Sequence, residues 1–366
     1  MTPPAEADVI ALDAMGGDHA PAATVEGAVL AARELGLEIA LVGREDDIRR
    51  ELARHRTAGL KLHIVHASEV VGMAEHPAQA VRQKKDSSIR RAMELVKRGE
   101  AAGVFSAGNS GAVMAAALFI LGRIEGVHRP ALATVFPVRN GRTLVADIGA
   151  NTECDPHNLV QFAFMGAAYM ERVLGVPRPR VGLLSNGEEE TKGNALVQAT
   201  YPLLRQTALN FIGNVEGKDL PMGVADVVVC DGFTGNVVLK LAEGIAEFLL
   251  STLKSELTRD PISLLGAALA TPAFRRVRRL LDYAEVGGAP LLGVDGVVLI
   301  GHGRSTARAI RNGLRVTQQA INGRLVATIR EGLAALMGTP VGRQVQQDGA
   351  HDYETTGDHL DRHSRP

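Results

Sequence analysis

The chain has 366 residues, 46% of them hydrophobic, with 40 glycines, no tryptophan and a formal net charge of -1. That length allows one large α/β core or two lobes, and the balanced charge excludes long-range attraction to nucleic acid. No uncharged apolar run reaches about 18 residues, which excludes a membrane span. Cys154 and Cys230 are the only cysteines and lack metal-ligand spacing, so neither a disulfide framework nor a zinc site is expected.

The opening MTPPAEAD has no basic region followed by an apolar stretch; no signal peptide is read, and a cytoplasmic location is expected. Val9 to Leu12 reads as a strand ending in Asp13-Ala14-Met15-Gly16-Gly17-Asp18-His19-Ala20-Pro21. Helical spacing over Thr24 to Leu35, a strand at Ile39 to Val42, a helix over Asp46 to Arg54 and a strand at Leu62 to Val65 follow. Pro77 opens a long polar helix predicted to end near Gly99. The next strand, at Val104, runs into Ser106-Ala107-Gly108-Asn109-Ser110-Gly111 and an Ala-rich helix to Leu121.

Leu132 to Phe136 and Thr143 to Ala146 flank Arg139-Asn140-Gly141-Arg142, the pattern of a hairpin. Asp147-Ile148-Gly149-Ala150-Asn151 then leads toward a helix over His157 to Leu174. Val181 to Leu184 is a predicted strand, Ser185 to Asn194 a polar loop before a helix ending near Gln206, and Phe211 to Gly217 another strand exit. Val227 to Cys230 is an unbroken apolar run, as for a strand covered on both faces. Asp231-Gly232-Phe233-Thr234-Gly235-Asn236 turns the chain, and helical spacing from Val237 runs to Leu257. Arg259-Asp260-Pro261 breaks that helix, and a second continues toward Tyr283. Val297 to Ile300 is the last predicted strand; Gly301-His302-Gly303-Arg304-Ser305 leads from it into one long helix to Leu336.

Regular alternation of strands and helices predicts a Rossmann-like α/β fold, with a mostly parallel sheet and helices on both faces. Ligands of such sheets bind at the carboxyl ends of the strands. Residues 8–338 read as one catalytic unit, possible as two lobes, and 339–366 as a disordered tail.

Strand-to-turn-to-helix junctions recur at Asp13–Asp18, Ser106–Gly111, Asp147–Asn151, Ser185–Gly187 and Asp231–Asn236. Each aims free helix N–H groups at a turn, a ready anion site. The candidates are Asp13, Gly16, Gly17, Asp18, Asn109, Ser110, Gly111, Asn151, Gly235 and His302. Each has a plainer reading, as strand terminator, helix cap or turn residue. The chain uses 32 arginines against eight lysines, and Lys192, Lys218 and Lys240 lie in or beside the Gly/Asn-rich turns. A lysine there points either to a need for a compact amine or to ordinary surface.

Dinucleotide, P-loop, nucleophile-elbow and zinc-protease signatures are all missing. An anion cradle with few acid/base candidates suits a reaction in which the bound anion is the nucleophile, such as phosphate attacking an acyl thioester. Positioning and preorganised donors can supply most of that catalysis. A hydroxy-acid oxidoreductase of similar fold and a non-catalytic acyl-carrier or membrane scaffold are the alternatives. The first lacks a convincing adenine pocket and carboxylate set; the second does not explain so many polar turns.

The stretch DAMGGDHAP at 13–21 resembles the N-terminal signature of the bacterial phosphate acyltransferase family of phospholipid synthesis. Ser106–Ala112, Gly149-Ala150-Asn151, Lys192-Gly193-Asn194, Phe211–Glu216, Asp231–Asn236, Gly287-Gly288-Ala289 and His302-Gly303 are similar to family segments, in family order. The resemblance spans Val9 to Leu336, while Ser185–Glu190 is more acidic than the family pattern. It implies a fold related to phosphotransacetylases and isocitrate-type dehydrogenases, a homodimer, acyl carrier protein and inorganic phosphate as partners, and no metal or organic cofactor. It also implies catalytic roles for Lys192 and Asn236. Between Pro261 and Leu269 an apolar stretch precedes Arg275-Arg276-Val277-Arg278-Arg279, which reads either as a membrane-surface contact or as a dimer contact.

Overall fold

The computed structural model describes residues 8–139, 141–281, 287–339 and 342. The expected tail lies mostly outside these residues, as do Asn140 of the hairpin turn and Tyr283. The described strands are β1 (Val9–Asp13), β2 (Glu38–Gly43), β3 (Leu62–His66), β4 (Gly103–Ser106), β5 (Ala131–Val138), β6 (Gly141–Ala146), β7 (Arg180–Ser185), β8 (Asn210–Glu216), β9 (Val227–Val229), β10 (Ala289–Leu292) and β11 (Val297–Ile300). The helices are α1 (Ala22–Leu35), α2 (Glu45–Leu52), α3 (Pro77–Gln83), α4 (Ser88–Lys97), α5 (Ser110–Ala116), α6 (Pro156–Arg172), α7 (Ala195–Arg205), α8 (Gly232–Leu257), α9 (Pro261–Leu281), α10 (Ala307–Asn322) and α11 (Leu325–Met337). A π-helical turn, Ala117–Leu121, continues α5.

All the described strands join one sheet in the order β3-β2-β1-β4-β11-β10-β5-β6-β9-β7-β8. Its two flanks are parallel, so the expected mostly parallel α/β class holds. Alternation along each strand divides the core between two faces. Ile10 and Leu12 join the large cluster that includes residues of α1, α6, α10 and α11, whereas Ala11 joins the cluster containing α4 and α5. In β9, Val227 and Val229 face the large cluster, while Val228 packs on the opposite side with Cys230, Val238 and Leu239. With both faces covered, these strands carry unbroken apolar runs.

The sheet reverses in its middle. β10 is antiparallel to both β11 and β5, and β5 is antiparallel to β6. Three reversals leave β6, β9, β7 and β8 running opposite to β1, β4 and β11. The strand-end turns expected to converge therefore form two clusters at oppositely directed carboxyl ends. The strand responsible, β10, escapes sequence reading because it is four residues long and contains Pro290, which cannot donate to a ladder.

Two expected helices are each divided. Between α3 and α4 the chain leaves the helix so that Asp86 can accept from Ser68 and Glu69 can pair with Asp86. Between α10 and α11, Gly323 presses on Arg172: a Cβ there would lie 2.6 Å from the Arg172 carbonyl oxygen. Arg324 follows in the left-handed region at φ +50°. The break at Arg259-Asp260-Pro261 is where expected, with Asp260 Oδ1 accepting from the Ile262 and Ser263 amides.

Candidate functional site

The first cluster gathers at the ends of β1, β4 and β11. Asp13 is buried, and its Oδ2 accepts from Ser106 Oγ at 2.7 Å while its Oδ1 accepts from the Met15 amide. Burial raises its pKa, opposed by hydrogen bonds from Ser88, Ser106 and the backbone. Ser106 Oγ in turn accepts from the Gly108 amide at 3.1 Å. Asp13 thus ties two strand-end turns together. Gly16 is small for the same reason: a Cβ would fall 2.6 Å from Asp13 Oδ2 and 2.8 Å from Gly108 N. Gly17, at φ +109°, backs onto Gly303 and Ala107.

Asp18 does not cap α1, which begins after Pro21 without a side-chain cap; its amide donates to the Gly303 carbonyl and its carboxylate lies beside Gly303. Asn109 caps α5 by accepting from the Ala112 amide, and its Nδ2 donates to the Met73 and Glu75 carbonyls. Its side chain is thereby committed to the loop at 73–75, and Gly111 leaves room for Pro77. Ser110 is exposed at the first position of α5. His302 follows β11; its Nδ1 accepts from the Arg304 amide at 3.3 Å, which puts the proton of the neutral ring on Nε2. Its pKa is lowered, first by desolvation and then by the Arg304 charge.

The second cluster is built on Asp147, which is fully buried after β6. Oδ1 accepts from the Leu132, Gly149 and Ala150 amides at 3.0–3.1 Å; Oδ2 accepts from the Asn151 amide at 2.7 Å and Asn151 Nδ2 at 2.8 Å. Burial still raises its pKa against these donors. Asn151 also donates to the Pro130 carbonyl, so it shapes the turn from within. α8 begins at Gly232, earlier than the sequence pattern indicates. Asp231 is its cap, accepting from the Thr234 amide at 2.8 Å. Gly235 and Asn236 consequently lie in the first turns of α8, not in the turn before it. Gly235 is buried directly against Asp147.

Asn236 is exposed, and a Cβ on Gly149 would approach its side chain to 3.8 Å. Lys192 is exposed in the loop after β7. Neither side chain has a hydrogen-bond or ion-pair partner among the described residues. The strands that precede them, β9 and β7, are parallel neighbours, so the chain leaves both toward the same side of the sheet.

Lys240 lies one turn, about 6 Å, beyond Asn236 on α8; its charge lowers the His302 pKa slightly, and that of Glu243 opposes it. The sequence alone points to Asp13, but not to Ser106 or Asp147, as a site residue. The signal for Asp147 was present in the chain: Asp147-Ile148-Gly149 repeats the strand-end aspartate and glycine of the first junction.

Glu188, Glu216 and Asp219 bring carboxylate oxygens within 4.8 Å of one another. Lys218 already serves them, paired with Glu216 and 3.7 Å from Glu188. Neither cysteine is poised as a nucleophile: burial pushes the Cys154 thiol up to about 12 and Cys230 well above its ordinary value.

The family model described as "Fatty acid synthesis protein" matches residues 9–327. A phosphate acyltransferase of Trichlorobacter lovleyi is 53% identical over 325 residues, 89% of this chain and 94% of that protein. One of Heliobacterium modesticaldum is 55% identical over 324 residues, 88% and 96% of the two chains. Among solved structures, a EutD phosphotransacetylase from Staphylococcus aureus is similar at a TM-score of 0.58 and 17% identity, covering 86% of this chain and 94% of that one. A phosphotransacetylase from Streptococcus pyogenes gives 0.59 and 16%, with the same coverage. At such identities these two bear on the fold alone.

Proposed function

The chain belongs to the phosphate acyltransferase family, and we propose that it moves a fatty acyl group from an acyl-carrier-protein thioester to inorganic phosphate, giving acyl phosphate for phospholipid synthesis. A phosphate oxygen attacks the thioester carbonyl carbon; the new C–O bond forms, the C–S bond breaks, and the departing thiolate takes up a proton. The observation that carries this reading is the placement of Lys192 and Asn236. Both are exposed and unpaired among the described residues, Lys192 in the loop after β7 and Asn236 in the first turns of α8 after β9, and β7 and β9 are parallel neighbours. In this reading they are catalytic: the Asn236 amide donates to phosphate or to the oxyanion, and the Lys192 ammonium balances the oxyanion or protonates the thiolate.

Gly16, Gly17, Asp18, Ser110, Gly111 and His302 border the substrate from the first cluster. Asp13, Asn109, Asn151 and Gly235 keep both rims in shape. No cofactor or metal takes part. Incubation with acyl-carrier-protein thioester, with and without phosphate, tests the reading. Thioester should disappear in step with phosphate, and hydroxylamine should trap the product as a hydroxamate. Turnover in the absence of phosphate overturns it.

The working form is a homodimer that touches a membrane surface. Val237, Leu241, Ile245 and Phe248 recur at helical spacing along α8 and are all exposed, a stripe suited to a second copy of the chain. At the far end of the α8–α9 hairpin, Ile262 is 84% and Leu269 79% exposed, with Leu264 and Leu265 beside them. Those residues, within Pro261–Leu269, are assigned to the membrane surface. No helix among the described residues is long and apolar enough to cross a membrane; in this reading the protein is cytoplasmic and its attachment peripheral.

A further inference from the structure

The segment Asn210-Phe211-Ile212-Gly213-Asn214-Val215-Glu216 forms β8, the edge strand beside β7, and holds no residue of the proposed chemistry. Its register explains why a polar residue sits inside it. Val181 pairs with Phe211, but Gly182 pairs with Gly213, so Ile212 is an extra residue bulged out of the ladder. Gly213, at φ +101°, carries the bulge. The extra residue changes the phase of everything after it. Asn214 comes opposite Leu183, whose side chain faces the large core cluster, and is only 7% exposed. In an unbulged strand Phe211 and Asn214, three apart, would face opposite sides.

Asn214 Nδ2 donates to the Glu189 carbonyl at 2.8 Å, and the same carbonyl accepts the Lys192 amide at 3.0 Å. Two hydrogen bonds therefore run from the rigid sheet to the backbone of Lys192. The rest of the loop closes around them. The Gly193 amide donates to Asn186 Oδ1, and Gln198 Nε2 donates to the Thr191 and Gly193 carbonyls. Gly193 lies over Ser185: a Cβ there would stand 3.2 Å from the serine Oγ. Asn214 is poorly explained as a stabilising residue. Its Oδ1 is buried without a hydrogen-bond partner among the described residues, a condition that costs stability compared with an apolar side chain in the same place. A buried amide with one useful bond, aimed at one loop, is the pattern of local rules broken at a functional site.

We propose that Asn214 is the positioning residue for Lys192: through the Glu189 carbonyl it fixes where the ammonium stands against the thioester carbonyl. This rests on the catalytic reading of Lys192 given above. The test uses the full chain and compares Asn214→Leu, Lys192→Ala and the double variant in phosphate-dependent thioester turnover. Melting temperature and amide hydrogen exchange are measured on each. Asn214→Leu should lower kcat by about 10- to 100-fold through displacement of a reacting group, with KM for thioester nearly unchanged and the melting temperature equal or higher. Faster exchange should be confined to 186–194. In the Lys192→Ala background the same change should have no further effect on kcat.

Full kcat in Asn214→Leu, or a loss that multiplies with that of Lys192→Ala, overturns the positioning role while leaving Lys192 catalytic. A lowered melting temperature with exchange raised throughout overturns it in favour of plain stability. Full turnover in Lys192→Ala overturns the catalytic reading of Lys192, and the positioning role falls with it. If the leucine variant does not fold, Asn214→Asp, which keeps the shape and removes the donor, undergoes the same comparison.

Discussion

A Cβ on Gly235 would stand 1.8 Å from the carbonyl oxygen of Asp147. No side-chain rearrangement relieves that contact, because both partners are backbone. Gly232, one turn earlier, is similarly tight, 2.5 Å from the Asn151 carbonyl oxygen. The start of α8 thus lies directly on the turn after β6, and this contact sets where Asn236 stands. Gly235→Ala should lower stability by about 1–3 kcal/mol or more and abolish turnover. Gly332→Ala, in α11 with nothing within 4 Å of the added methyl, should raise stability by roughly 0.5–1 kcal/mol. Thermal melts of both variants check the contrast; an unchanged melt for Gly235→Ala contradicts the contact.

Asp13 and Asp147 are both buried strand-end carboxylates, yet they should differ in tolerance. Asp147 accepts five N–H groups, and Asn in its place must turn an NH₂ toward some of them. Asp147→Asn should cost roughly 1–3 kcal/mol for the unmade bonds and loosen Asn151. Asp13 Oδ2 instead meets the Ser106 hydroxyl, which can rotate to accept from an amide. Asp13→Asn should therefore melt closer to the parent than Asp147→Asn. The reverse order in denaturant unfolding rules out this account.

The lowered pKa of His302 fixes the sign of a pH effect. Below the ordinary value of about 6.5, the unfolded chain takes up a proton before the folded chain does, so the unfolded state binds more protons. The stability contributed by the neutral ring is present above 6.5 and is lost as pH falls through the folded pKa. NMR titration should place the His302 midpoint below that of an unfolded peptide, and His302→Gln should flatten this part of the stability profile. A midpoint above 6.5 shows that desolvation and the field of Arg304 do not dominate.

Lys192 and Asn236 invite the most direct kinetic comparison. Lys192→Ala and Asn236→Ala should each lower kcat by roughly 10²-fold or more, by analogy with loss of an oxyanion donor. Both residues are exposed and unpaired among the described residues, so both variants should melt like the parent. Near-normal turnover in folded Lys192→Ala removes it from the chemistry.

The fold class was legible because buried strands such as Val227–Cys230 carry continuous apolar runs, and because glycines and caps mark the junctions. What stayed hidden depended on pairing. The reversal of the sheet is made by β10, whose four residues include Pro290, and no local period reports strand direction. Asn214 points inward only because Ile212 is bulged, which follows from the partner strand. Gly235 reads as a turn glycine, whereas its smallness answers a carbonyl 88 residues earlier in the chain. Asp147 and Asn151 look like turn residues; their buried hydrogen bonds emerge once α8 is laid over them.

The α9 tip gives the last prediction. Asp260 starts the helix by accepting from Ile262 and Ser263, and this holds Ile262, Leu264, Leu265 and Leu269 out from the body of the protein. Each leucine, if fully buried in an apolar phase, would contribute about 1.5–3 kcal/mol, less at a shallow interface. Arg275 and Arg276 are exposed on the same helix, where anionic lipid would attract them; the side chains of Arg278 and Arg279 lie outside those described. Single-helix attachment of this kind is reversible and weakened by salt, and a dimer presenting two tips binds more tightly than a monomer. Liposome flotation of the parent and of a Leu264→Glu, Leu265→Glu variant, with sizing and soluble thioester turnover, separates the two uses of the apolar surface. Loss of flotation with the dimer and turnover intact assigns the tip to the membrane and leaves the stripe of Val237, Leu241, Ile245 and Phe248 for the partner subunit. Collapse to monomer instead assigns Leu264 and Leu265 to the dimer interface, and membrane contact through this helix is then dropped.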